Sequence, residues 1–118
     1  DKWKYLKGKK AEERKSSLGV FHYTEGPLKL NDSEKFPSRT IITSEGGPGA
    51  SRFKHLIEIK KDKKYRRLMP IELERLNMFP DNHTKLEGIS NTKRAFFMGN
   101  ALVVGVVERI GLTLSNRL

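Results

Sequence analysis

The chain has 118 residues and a formal net charge of +10, because 24 Lys and Arg residues outnumber 14 Asp and Glu residues. This length predicts one small domain and excludes a two-domain enzyme within the chain. The sequence contains no cysteine, which excludes a disulfide scaffold, a zinc site with cysteine ligands and a cysteine nucleophile. The apolar run 95–107 is shorter than a membrane span needs, so we expect no membrane partner.

The basic charge is concentrated in two blocks. Residues 1–15 contain seven basic and three acidic side chains, and residues 52–67 contain eight basic and two acidic ones. This distribution suits a polyanionic partner, whose condensed counterions are released on binding; solvated charge runs that aid solubility are the alternative. The chain starts at Asp1 without an apolar signal segment, so we interpret it as an excised or processed piece of an intracellular, cytoplasmic protein.

The first half of the chain is polar, and its short apolar runs predict strands. Residues 20–23 and 40–43 favour β-structure, and residues 53–59 alternate between apolar and polar side chains as a half-buried strand does. The lysine-rich run 60–64 predicts a turn, after which residues 65–68 would return as the antiparallel partner. We therefore expect a small β-rich region here.

Helical signals begin at Pro70. A proline at a first helical position with acidic residues behind it is typical of a helix start, and Pro80 would end this helix. The spacing of Met69, Leu73 and Leu76 predicts one apolar stripe that faces a core.

Two more helices are predicted after this one. Ser90 is placed to cap a second helix, which residues 99 and 100 (Gly-Asn) would interrupt, and a last helix would run over residues 101–114. Apolar side chains between 96 and 107 cover the whole circumference of a helix rather than one stripe. Such a helix belongs in the middle of a larger protein, so we expect missing neighbours, from another chain or from a removed N-terminal part.

Two segments resemble conserved blocks of one enzyme family. Residues 66–81, Arg-Arg-Leu-Met-Pro-Ile-Glu-Leu-Glu-Arg-Leu-Asn-Met-Phe-Pro-Asp, resemble the ninth conserved block of the bacterial DNA cytosine-5 methyltransferases. Residues 97–104, Phe-Met-Gly-Asn-Ala-Leu-Val-Val, resemble the tenth and last block, in the right order and at the right spacing. Upstream, residues 37–43 and the Gly-rich loop after them are similar to the part of the target-recognition region that precedes the ninth block. The resemblance covers residues 36–114.

The resemblance implies an α+β fold. A small irregular β-rich DNA-recognition region would be followed by about three helices, the last of which normally packs on a catalytic domain that is absent from this chain. The chain would divide into a target-recognition region, residues 1–65, and a helical segment that carries the family blocks, residues 66–118.

These enzymes transfer a methyl group from S-adenosyl-L-methionine (AdoMet) to C5 of a flipped-out cytosine in a specific duplex sequence, after a cysteine thiolate adds to C6. Their Pro-Cys, Glu-Asn-Val, Gln-x-Arg-x-Arg and Phe-x-Gly-x-Gly blocks do not occur in this sequence. The resemblance therefore implies the C-terminal DNA-recognition segment of a bacterial restriction-modification methyltransferase, inactive alone. Its partners would be double-stranded DNA and the catalytic N-terminal part of the same enzyme, or a companion subunit.

The resemblance also assigns candidate site residues. The DNA-binding candidates lie in and around the Gly-rich loop: Arg39, Thr40, Ser44, Gly46, Gly47, Arg52 and Lys54. A glycine backbone can approach base edges, and the basic residues can reach guanine or phosphate; from composition alone, a plain flexible loop is the alternative. Asn100 and Ala101 would line the AdoMet pocket, although the missing N-terminal part would bind most of the cofactor. Arg67, with Glu72 and Arg75 as a buried i, i+3 pair, would hold the recognition region to the catalytic domain.

No metal site is expected, because the three histidines are scattered without ligand spacing. The lysines of residues 60–64 are interpreted as a solvated hairpin tip whose contacts with DNA, if any, are to phosphate. Two other interpretations of the whole chain are a non-catalytic subunit of a split methyltransferase, whose companion supplies the cysteine, and a self-standing basic DNA-binding module.

Overall fold

The computed structural model describes residues 2–59, 61 and 64–117, and within them the chain forms two antiparallel two-stranded sheets and four helices. The fold class is therefore α+β, as predicted. The elements in chain order are α1 (Lys2–Lys7), β1 (Lys10–Ser16), β2 (Gly19–Glu25), β3 (Ile57–Ile59), β4 (Lys64–Arg66), α2 (Pro70–Leu76), α3 (Asn91–Asn100) and α4 (Val104–Ser115).

Strands β1 and β2 form a hairpin with seven register pairs, from Lys10 opposite Glu25 to Ser16 opposite Gly19. Gly19 closes the hairpin at a φ of 123°, a left-handed conformation that favours glycine. The predicted β-structure at residues 20–23 is confirmed as part of β2. The short helix α1 in front of the hairpin was not predicted, because a single turn and a half carries too little periodicity to be recognised.

The other strand predictions were only partly right. Residues 40–43 form no strand, and residues 53–59 become a strand only at Ile57–Ile59. The predicted burial pattern is also wrong, because Phe53 is 56% exposed while Lys54 and Leu56 are buried. Strand β4 does pair antiparallel with β3, as expected. The predicted turn between them includes residues 60, 62 and 63, which lie outside the described part of the chain.

Helix α2 starts at Pro70, as predicted, and Glu72 caps it by accepting a hydrogen bond from the backbone N–H of Met69 at 2.7 Å. The helix ends at Leu76, well before Pro80. The predicted apolar stripe is not buried as a whole: Leu73 is fully buried, whereas Met69 and Leu76 are 55% and 39% exposed.

The apolar core is a small cluster that joins the loop before the Gly-rich segment to helices α2 and α3. Its buried members are Ile41, Leu73, Ala95 and Met98. Because Ile41 comes from the first half of the chain and the other three from the second, the two halves share one core. The predicted boundary at residues 65 and 66 stays a prediction.

Helix α3 begins as expected, since the Ser90 side chain accepts a hydrogen bond from the backbone N–H of Lys93. The helix includes Gly99 and ends at Asn100, so its end falls within the predicted interruption at residues 99 and 100. Helix α4 then runs over Val104–Ser115 rather than from Ala101, and none of its residues is buried. Of the apolar side chains expected to need neighbours, Met98 is buried in the core, whereas Val106 and Val107 of α4 are about half exposed.

The range Asn91–Ser115 is long and apolar enough, by length and composition, to cross a membrane; its most apolar window of 18 residues has a mean hydropathy of 1.5 and is 11% buried. This apolar range is thus longer than residues 95–107, the run identified from the sequence. In the structure the range forms two helices that extended backbone at Ala101 separates, and the first of them carries the buried side chain of Arg94. Helices that pack inside larger enzymes have the same length and composition, so the lack of a membrane partner stays a prediction.

A methyl group at Gly99 should destabilise the fold. A Cβ at this position would lie 2.5 Å from the backbone N and Cα of Thr43. We expect Gly99→Ala to lower the free energy of unfolding by about 1–3 kcal/mol, the usual effect of overpacking. The control is Gly111→Ala, since a Cβ there meets no atom within 4 Å and alanine favours a helix by about 0.5–1 kcal/mol. Urea denaturation measures both; equal effects would contradict the close packing at Gly99.

Candidate nucleic-acid interface

Arg39 is held by internal contacts. Its guanidinium makes a two-bond ion pair with Asp32, from Nε to Oδ1 at 2.9 Å and from Nη2 to Oδ2 at 2.7 Å. It also donates to the backbone carbonyls of Arg52, at 3.3 Å, and Lys54, at 3.1 Å. Four of its five N–H groups are therefore in use, and a two-bond contact to guanine would require it to release one of them.

Arg52 anchors the hairpin to the loop region. Its Nε lies 2.9 Å from Glu25 Oε1, and its Nη1 donates to the carbonyls of Leu6, at 3.2 Å, and Gly8, at 3.4 Å. Nη2 donates to the carbonyl of Gly26. The side chain thus ties both ends of the hairpin to residue 52, and it does not project freely toward a ligand.

Lys54 holds the Gly-rich loop from inside. Its side chain is buried, and Nζ donates to the carbonyls of Gly47, at 2.8 Å, and Gly49, at 2.6 Å. Arg67 donates to the carbonyl of Gly47 as well. Burial, together with the positive charge of Arg67, lowers the pKa of Lys54. Lys54 and Arg67 therefore shape the loop, whereas Lys54 was expected to reach DNA itself.

The remaining DNA-binding candidates lie at the surface of the same loop region. Thr40 and Ser44 are exposed, and Gly46 and Gly47 are partly exposed. Gly46 also has a packing role, because a Cβ at this position would lie 2.8 Å from Cβ of Ala95 in α3. The loop can therefore present backbone groups and two hydroxyls outward while its inner side rests on α3.

Sequence analysis missed two buried groups below the loop. The backbone N–H of His55 donates to Glu45 Oε1 at 2.8 Å, and His55 Nε2 lies 3.0 Å from Ser38 Oγ. Lys7, also buried, donates from Nζ to the carbonyl of Lys54 at 2.8 Å. Burial, then the charge of Arg39, lowers the pKa of Lys7 to about 8. Nothing in the sequence signals these contacts, because the partners are as many as 47 residues apart.

The expected pair between Glu72 and Arg75 is wrong. Glu72 pairs instead with Arg66, through two hydrogen bonds of 2.7 and 2.8 Å, and this interaction lowers the pKa of the Glu72 carboxyl. Arg75 pairs with Asp81 at 2.6 Å and both side chains are well exposed. The pairs therefore fasten α2 to its own flanking segments within the chain.

A buried ion pair that sequence analysis also missed joins α2 to α3. Arg94 Nη2 donates to Glu74 Oε1 at 2.9 Å, and neither side chain is exposed. The backbone N–H of Thr84 donates to the same carboxylate oxygen at 3.0 Å. Burial raises the pKa of Glu74, but the bonds from Thr84 and Arg94 outweigh it and leave that pKa lowered.

Asn100 and Ala101 lie where α3 ends. The Asn100 side chain is exposed and donates from Nδ2 to the carbonyl of Phe96 at 3.0 Å, which leaves its amide oxygen facing outward without a partner among the described residues. Backbone at Ala101 is extended, with φ −82° and ψ 155°. The side chains of Phe96 and Leu102, which are near Asn100 and Ala101 in the sequence, are also exposed. An exposed amide oxygen beside exposed apolar groups has the chemistry to contact the polar and apolar parts of AdoMet.

The model of the C-5 cytosine-specific DNA methylase family matches residues 1–116 of this chain. The chain belongs to the C-5 cytosine-specific DNA methylase family. It is also 46% identical over 112 residues to the type II methyltransferase M.Sau3AI of Staphylococcus aureus, and that match covers 94% of this chain and 26% of the relative. The chain thus spans about a quarter of the length of this curated methylase. No solved structure matches it.

The contacts of the Arg52 guanidinium with Glu25 and with the backbone carbonyls at the ends of the hairpin predict that Arg52 stabilises this methylase segment. Arg52→Lys keeps the charge but cannot reach Glu25 and the hairpin carbonyls together, so we expect the free energy of unfolding to fall by about 1–3 kcal/mol. Urea denaturation followed by circular dichroism measures it. If Arg52→Lys unfolds with the same free energy as the wild type, the internal contacts of Arg52 do not stabilise the fold. The Arg52 side chain would then be available to bind phosphate.

The pair of Asp32 and Arg39 predicts a pH dependence. Burial raises the pKa of Asp32, but the bonds from Arg39 and from the N–H of Leu56 outweigh it, so the net pKa is lowered. Because the pKa of this carboxyl is lower in the folded state than in the unfolded chain, where it is about 3.9, ionised Asp32 stabilises the fold at pH values above about 3.9. This stabilisation is lost as the pH falls through the folded-state pKa. Asp32→Asn should therefore reduce stability most near neutral pH, and the difference from wild type should shrink below about pH 4. A difference that is constant from pH 7 to 3 would contradict the pair.

Proposed function

We propose that this chain is the C-terminal DNA-recognition segment of a bacterial DNA (cytosine-5-)-methyltransferase of a restriction-modification system. Residues 1–65 would read the duplex, and residues 66–118 would join that region to a catalytic part that holds the cysteine. The intact enzyme would work in the cytoplasm, with double-stranded DNA and the catalytic part as its partners.

The observation that carries the proposal is helix α4. Its six valine, isoleucine and leucine side chains are each 40–60% exposed, and polar residues such as Glu108 and Arg109 cover only part of its surface. An exposed apolar surface of this extent on a helix indicates contact with a further part of a larger protein. The three quarters of the relative that this chain does not match would supply the surface against which α4 packs. The absence of cysteine supports the same division, because the family's thiolate must then come from elsewhere.

Within this proposal the site residues have two kinds of role. Thr40 and Ser44 are exposed and would contact DNA directly, together with the partly exposed backbone of Gly46 and Gly47. Arg39, Arg52 and Lys54 bond to carbonyls of the same region. They would act by holding the loop in the shape that fits the duplex, and any base contact of their own would use the few N–H groups that remain.

AdoMet would supply the methyl group when it is bound, mainly by the catalytic part. Asn100 would offer its outward amide oxygen, and Ala101 its extended backbone, at one side of the cofactor. Arg67, Glu72 and Arg75 would keep α2 and the loop in fixed positions, so that the recognition region and the cofactor wall hold their relative placement.

The proposal is tested by methyl transfer with the chain alone and with the catalytic part. We expect no transfer from labelled AdoMet to duplex DNA by the purified chain, and sequence-specific transfer by the intact enzyme. Adding the separately produced chain to the catalytic part should restore transfer. Methylation by the chain alone would contradict the proposal.

The reading frame upstream of residue 1 separates the proposal from its rivals. A Pro-Cys block in that frame is expected. A natural start codon there, with the catalytic blocks in another gene, would point to a subunit of a split enzyme. A frame and a neighbouring gene that both lack the blocks would favour a self-standing basic module.

A further inference from the structure

The ribbon formed by β1 and β2 contacts the rest of the described residues near its base and not at its tip. At the base, Glu12 accepts from the Tyr5 hydroxyl at 2.9 Å and Lys10 Nζ donates to the carbonyl of Leu6 at 3.2 Å. All side chains from 13 to 22 are exposed, and Leu18 at the turn is 98% exposed. An isolated two-stranded ribbon is marginal in water, so a ribbon of seven pairs with an apolar tip indicates a surface that meets a partner.

The chemistry of the tip suits a nucleic acid. Over residues 10–25 three basic side chains balance three acidic ones, but the tip, residues 14–24, contains Arg14 and Lys15 and no acidic residue. Arg14 pairs with Glu12 at 3.3 Å and stacks on the ring of Tyr23, with 3.6 Å between its Cζ and the ring centroid, whereas Lys15 has no ion-pair partner among the described residues. Leu18 and Phe21 are exposed beside these cations. Cations can neutralise phosphates, and exposed apolar groups can contact the methyl groups of thymine.

The base of the ribbon is connected to the Gly-rich loop. Arg52 bonds to Glu25 and to the carbonyl of Gly26, where β2 ends. Two residues further, Lys54 bonds to the carbonyls of Gly47 and Gly49. A duplex that lies against the loop is therefore within reach of the ribbon.

The dimensions agree with this arrangement. A strand of seven residues extends about 20 Å at ~3.4 Å per residue, which corresponds to about six base pairs along a duplex. The major groove of B-DNA is ~12 Å wide and admits a two-stranded ribbon.

We propose that the β1–β2 ribbon is a second DNA-contacting element, which lies in the major groove beside the target site with Leu18 at the bases and Lys15 at the phosphate backbone. The inference rests on the proposed function and extends it. It makes the ribbon a determinant of sequence preference outside the Gly-rich loop.

Cross-linking in the intact enzyme tests the position of the tip. With the photoreactive amino acid p-benzoylphenylalanine in place of Leu18, irradiation of the complex with its target duplex should give a protein–DNA adduct within about six base pairs of the target cytosine. The same replacement at Leu86, which is 69% exposed in the loop between α2 and α3, is the matched control and should give no DNA adduct. Two results would overturn the inference: a cross-link from position 18 only to other parts of the protein, or no cross-link to DNA in an enzyme that methylates normally.

Charge at the tip gives a second test. Leu18→Glu and Leu18→Ser should fold alike at so exposed a position, but the glutamate should weaken binding of the target duplex on the order of tenfold relative to the serine. Lys15→Gln should reduce the slope of log Kobs against log salt by about 1. Equal affinities for the two Leu18 variants, with an unchanged slope for Lys15→Gln, would overturn the ribbon contact. An enzyme without any sequence-specific binding would instead overturn the proposed function.

Discussion

Hydrogen bonds from charged side chains to backbone carbonyls are the interactions on which the recognition region depends. Among the described residues of this region, two apolar side chains are buried against four polar or charged ones, so packing alone cannot fix its shape. Arg39, Arg52 and Lys54 each bond to at least two carbonyls of other segments. A buried carbonyl that loses its donor costs more than the bond contributes, and these contacts therefore specify one arrangement of the loops.

The same arrangement connects the surface that would meet DNA to the helix that would meet the cofactor. The backbone of Thr43 lies so close to Gly99 that no side chain fits between them, and Gly46 touches Ala95 in the same way. Both glycines belong to segments that resemble family blocks, one in the Gly-rich loop and one beside Asn100. Their function in this structure is close backbone packing, which places the loop and the end of α3 in direct contact.

Sequence analysis predicted the second half of the chain better than the first, for physical reasons. Pro70 and Ser90 act through local backbone chemistry, so the helix starts they signal were confirmed. The first half is organised by contacts between residues far apart in the sequence, such as Arg52 with Leu6, and no local pattern encodes them. Alternation therefore failed over residues 53–59, where Lys54 is buried because it bonds to carbonyls and not because it lies on an apolar face. The direct DNA and cofactor contacts stay predictions.

Exchange of the recognition region between two family members tests the central claim most directly. Residues 1–65 of the intact enzyme would be replaced by the matching region of a methylase that modifies a different duplex sequence, and bisulfite sequencing would identify the modified cytosines. The account predicts that the modified sequence changes with the exchanged region while AdoMet-dependent transfer continues. A modified sequence that stays with the catalytic part would contradict it.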